Sequence, residues 1–65
     1  MYADMRIATG HFDRNGKMIY LGSFVEASGT VFEVRYETGH YVLTDGENEQ
    51  LLNRYEAADL KIIKL

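Results

Sequence analysis

Apolar and polar residues alternate most strictly between Thr30 and Asp45, in the run TVFEVRYETGHYVLTD. Phe32, Val34 and Tyr36 interleave with Glu33, Arg35 and Glu37, which predicts a strand that buries the first three and wets the others. His40 to Thr44 is rich in β-branched and aromatic residues, and Thr38-Gly39 between the two runs predicts a tight hairpin with Gly39 at positive φ.

The same pattern extends in both directions. Met5 to Phe12 reads as a first strand, with Met5 and Ile7 on one side and Arg6 and Ala8 on the other. Asp13-Arg14-Asn15-Gly16 follows, and Asn-Gly between apolar runs is a strong hairpin signal. Lys17 to Glu26 is the return strand, with Gly22 marking a bulge or sharp bend. Ala27-Ser28-Gly29 and Asp45-Gly46 supply further turns, and glycine punctuation at 16, 29, 39 and 46 favours an antiparallel meander over βαβ units.

Glu47 to Leu65 supports two readings. Leu51, Tyr55, Ala58, Ile62 and Leu65 form a helical stripe, which gives a four-stranded antiparallel sheet with a C-terminal helix, an α+β fold. Such a helix leaves Leu60 and Ile63 off the stripe. The other reading makes Leu51 to Arg54 a short strand, Tyr55 to Asp59 a single helical turn and Leu60 to Lys64 a final strand. The fold is then all-β, a small five- to six-stranded antiparallel meander.

Tyr41-Val42-Leu43-Thr44-Asp45-Gly46 followed by Tyr55-Glu56-Ala57-Ala58-Asp59-Leu60-Lys61-Ile62-Ile63 resembles the closing half of SH3-like small barrels, over residues 30 to 65. The resemblance implies closure into a barrel with a short 3₁₀ turn near residues 55 to 59. The chain departs from the peptide-binding SH3 proteins in having no tryptophan and no acidic-aromatic motif in its first loop, and from nucleic-acid-binding relatives in lacking a basic strand.

Length and charge narrow the function. A chain of 65 residues is one small domain, too small to enclose a deep cleft. With no cysteine, thiolate catalysis, disulfides and Cys-based zinc sites are excluded. No apolar run reaches the ~18 residues of a membrane span, and the first residues lack signal-peptide order. A soluble, cytoplasmic protein is expected. The formal charge of −3 comes wholly from residues 31 to 65, where seven acidic side chains face four basic ones. A phosphate backbone is repelled by that half and a basic partner attracted.

Candidate chemistry is sparse. His11 and His40 are the only histidines, and with Asp13 near His11 they make too few ligands for a tetrahedral metal site, so no metal is expected. Ser23 and Ser28 lie in no nucleophile elbow. Asp45-Gly46-Glu47-Asn48-Glu49 is dense in oxygen ligands but does not match a twelve-residue calcium loop. No catalytic residue, enzyme activity or cofactor is expected.

What remains is a surface. Glu33, Glu37, Asp45, Glu47 and Glu49, with Tyr41 and Tyr55 at the rim, are the candidate partner-binding residues. They point to a non-catalytic protein-interaction module, in its sharper form a small acidic inhibitor of the phage or mobile-element type that blocks a basic nucleic-acid-binding groove. The alternative is single-stranded nucleic-acid binding by stacking on Tyr20, Phe24, Tyr36 or Tyr41, with Arg6, Arg14, Lys17 and Arg35 as the cationic groups. An edge strand at Met5 to Ile7 or Leu60 to Ile63 would also allow a homodimer.

Overall fold

A computed structural model describes residues 7 to 64. Seven strands and two 3₁₀ turns follow one another, and among the described residues there is no α-helix. The strands are β1 (Ala8–Phe12), β2 (Met18–Tyr20), β3 (Phe24–Ala27), β4 (Thr30–Glu37), β5 (His40–Thr44), β6 (Glu49–Leu51) and β7 (Lys61–Lys64). The fold is all-β and antiparallel, with a β1–β2 hairpin and a five-stranded sheet in the order β6-β5-β4-β3-β7.

The sheet stays open, so the expected closure into a barrel is not found. The reason lies at Leu21-Gly22. The predicted Lys17–Glu26 strand breaks there, where Gly22 adopts φ +90° and the Ser23 N–H donates to the Tyr20 carbonyl. The chain reverses, so β2 joins β1 in a separate sheet and does not extend β3 toward closure. β2 reaches the five-stranded sheet through Ile19, which shares its core with Val25, Ala27, Phe32, Val34 and Leu43.

The C-terminal helix is overturned as well. Leu52–Arg54 and Ala57–Asp59 are single 3₁₀ turns, and β7 returns to pair with β3, Val25 opposite Ile62 and Glu26 opposite Lys61. This route buries Leu52 and Leu60 completely in the core, which a helical stripe containing Leu51 and Tyr55 would not do. The predicted short strand at Leu51 to Arg54 starts and ends earlier, as β6, and the predicted helical turn at Tyr55 to Asp59 begins at Ala57. Met5 and Arg6 of the predicted first strand lie outside the described residues.

The hairpin turns follow local chemistry. Ser28-Gly29 and Thr38-Gly39 are two-residue loops with positive φ at both positions, the requirement of a type I′ turn. Asp13 to Lys17 is longer: the Gly16 N–H donates to the Asp13 carbonyl and the Asp13 N–H to the Lys17 carbonyl, a turn followed by a left-handed glycine.

Burial follows the predicted parity in β4, with one exception. Phe32 and Val34 are buried, but Tyr36 is 55% exposed. Its side chain shares the core-facing side, yet β3 pairs with β4 only as far as Glu33, so Tyr36 projects past the end of the core. There it meets Tyr41 edge-on, ring centroids 5.1 Å apart.

Candidate functional site

Cross-strand partners in an antiparallel sheet share a face, which sorts the candidate residues at once. Arg35 opposes Val42, Glu33 opposes Thr44, Thr44 opposes Glu49 and Phe24 opposes Glu33. These side chains stand on the face away from the core. There Phe24, Glu33, Arg35, Thr44 and Glu49 line an open trough of about 490 Å³ with Val31, Glu37 and Asp45, while Val42 is buried.

Four of the seven sequence-nominated residues therefore converge: Glu33, Glu37, Asp45 and Glu49. Arg35 lies between the first two, its guanidinium 3.7 Å from Glu33 and 3.6 Å from Glu37. Both contacts are long and exposed, so each contributes little to stability. Four carboxylates against one guanidinium leave the trough anionic.

Two of the lining side chains are apolar. Phe24 is 38% exposed and Val31 51%, beside the carboxylates. Sequence reasoning named Phe24 only as a stacking residue and did not name Val31. Parity was the available signal, since Val31 lies in step with Glu33 and Arg35 and must face outward with them.

The other three nominated residues lie elsewhere. Tyr41 and Tyr55 pack against the core cluster, on the side opposite the acids, and the Tyr55 hydroxyl donates to Gln50 Oε1. Glu47 is exposed in the loop after β5, where its N–H donates to Asp45 Oδ1 at 2.9 Å. Asn48 N–H donates to the same oxygen at 2.8 Å. These bonds, Asn48 first, hold the Asp45 carboxyl below its ordinary pKa and fix the loop at one end of the trough.

His11, half-buried on β1, and His40 on β5 border one small hollow with Asn53, and no carboxylate lines it. Among the described residues no three His, Cys, Asp or Glu side chains are grouped to hold a metal. Ser23 is buried, and its hydroxyl has no hydrogen-bond partner among the described residues. Among the same residues, no helix is long and apolar enough to cross a membrane.

Asp13 is the residue that sequence reasoning undervalued. It is 2% exposed, and its Oδ1 accepts the N–H groups of Asn15 and Lys17, both at 2.9 Å. Its Oδ2 accepts the Ile62 N–H at 3.1 Å, and the neighbouring Arg14 N–H donates to the Leu60 carbonyl at 2.8 Å. Burial pulls its pKa upward, but the bonds from Lys17, Ile62 and Asn15, with the Lys17 charge, outweigh that pull and leave it below the ordinary value. Asp13 thus pins the β1–β2 hairpin to β7 and supports the sheet from behind the trough.

Comparison of the chain with family models, curated proteins and solved structures returned no match.

Proposed function

We propose that the protein is a non-catalytic interaction module that binds a basic surface of another protein through the outer face of its sheet. One observation carries this reading: Glu33, Glu37, Asp45 and Glu49 line a single open trough together with exposed Phe24 and Val31. Exposed apolar side chains beside a net negative charge suit a partner that offers an apolar side chain among arginines or lysines. A nucleic-acid-binding groove has that character, and an occupant of this kind would act as an inhibitor of the small acidic type. The open trough suits docking better than enclosing a substrate.

Stacking on single-stranded nucleic acid draws less support. Phe24 stands among carboxylates, while Tyr36 and Tyr41 lie together on the opposite face, so these three rings form no common platform.

Affinity capture from a native lysate, at low and high salt, tests the proposal with the triple variant E33K/E37K/E49K beside the wild type. The expected result is a partner that the wild type retains at low salt, that salt releases, and that the variant does not retain. The captured protein should also lose its nucleic-acid binding when the wild type is added. Retention that ignores both salt and the charge reversals would refute the electrostatic reading.

A further inference from the structure

Among the described residues the tail of β4 has no strand on its β3 side, and its sequence is self-complementary; we infer that two copies of the chain join there, Arg35–Glu37 against Arg35–Glu37, into one continuous sheet. Three observations lead to this pairing.

The first is a pair of backbone groups that face no strand among the described residues. The Val34 N–H donates to the Ser23 carbonyl and the Val34 carbonyl accepts from Gly22 N–H, so both groups of Val34 point toward the β3 side. In an antiparallel ladder that direction repeats every second residue, so the N–H and carbonyl of Tyr36 point the same way. β3 pairs with β4 only to Glu33, and among the described residues no strand lies beside Tyr36 on that side. A shallow notch of about 250 Å³, bordered by Gly22, Val34 and Tyr36, marks the place.

The second is the order of charges. An antiparallel pair centred on Tyr36 sets Arg35 opposite Glu37 of the second copy and Glu37 opposite its Arg35. Two opposite-charge cross-strand pairs form by symmetry, as an isologous interface requires. Among the described residues the ion pairs of Arg35 are its long contacts to Glu33 and Glu37, so it can take the new partner at little cost.

The third is the exposed aromatic. Tyr36 would meet its own copy across the new ladder, beside the two Tyr41 rings, and its exposed surface would become buried. A two-fold axis perpendicular to the sheet keeps both acidic troughs on one side. The edge at Leu60 to Ile63 is a poorer choice, because Arg14 N–H already occupies the Leu60 carbonyl and Asp13 the Ile62 N–H.

Light scattering and sedimentation over a concentration series up to about 1 mM test the inference, with circular dichroism confirming the fold of each variant. The wild type should show a monomer–dimer equilibrium. R35E and E37R each place like charges opposite one another and should weaken the dimer by about tenfold, while the double variant R35E/E37R restores opposite pairs and should restore the dimer. Tyr36→Pro, which removes the outward N–H at an edge position, should yield a monomer. A wild type that remains monomeric throughout the series overturns the inference. So does a dimer that R35E and E37R leave unchanged, or one that the double variant fails to recover.

Discussion

Asp13 and Asp45 each head a turn and each accept two backbone N–H groups on one carboxylate oxygen, yet the two turns have different standing in the fold. At Asp45 the bonds close within the loop, the carboxylate is exposed, and water can replace whatever is removed. At Asp13 the second oxygen reaches the N–H of Ile62, from the other end of the chain, and the group is buried. Local sequence chemistry is alike in the two. What separates them is a tertiary contact that turns an ordinary turn-forming carboxylate into a clamp between two sheets.

The largest test of this difference is Asp13→Ala. Removing the acceptor strands three backbone donors, two of them from the hairpin turn and one from β7, and should lower stability by about 2–4 kcal/mol. For a chain of this size that is on the order of 15 °C in Tm. A thermal melt showing only a slight shift would mean that Asp13 is as dispensable as Asp45.

Asp13→Asn is milder and sharper. The amide keeps one acceptor oxygen and loses the other, and should cost about 1–2 kcal/mol near neutral pH. The folded carboxyl titrates below its ordinary range, so its stabilising bonds are complete above that range and are lost as pH falls through the lowered value. Urea midpoints taken from about pH 6 down to about pH 2 should therefore fall less steeply for Asp13→Asn than for wild type. Equal slopes would remove Asp13 from the acid response. The smallest effect is expected for Asp45→Ala, whose urea midpoint should fall only slightly below wild type at neutral pH, since its donors reach water once freed.

The same contrast explains how far the sequence could be read. Turns were legible because their causes are local: Asn15-Gly16, Ser28-Gly29, Thr38-Gly39 and Asp45-Gly46 each mark an observed reversal. Alternation placed Phe32 and Val34 inward and Glu33 and Glu37 outward, and so brought most of the acidic trough into view. Tyr36 has the right parity and the wrong burial, because burial also depends on where the neighbouring strand stops. Tyr41 and Tyr55 were grouped with the acids by proximity in sequence, although cross-strand register puts them on the other face.

Closure was illegible for a related reason. Whether β7 completes a barrel or adds to an open sheet depends on which edge is free when it arrives, and no local pattern records that. The pairing of Val25 with Ile62, and the reversal that carries β2 out of the plane of β3, emerge only from the assembled chain.

The hydrogen bond from Ile62 to Asp13 spans 49 residues and has a consequence for synthesis on the ribosome. β3, β4 and β5 make hairpin contacts that can form soon after they emerge, whereas the Asp13 carboxylate keeps its water until β7 has been made. Each nascent molecule therefore carries an unfinished seam between its first hairpin and its body, sealed only when β7 leaves the exit tunnel.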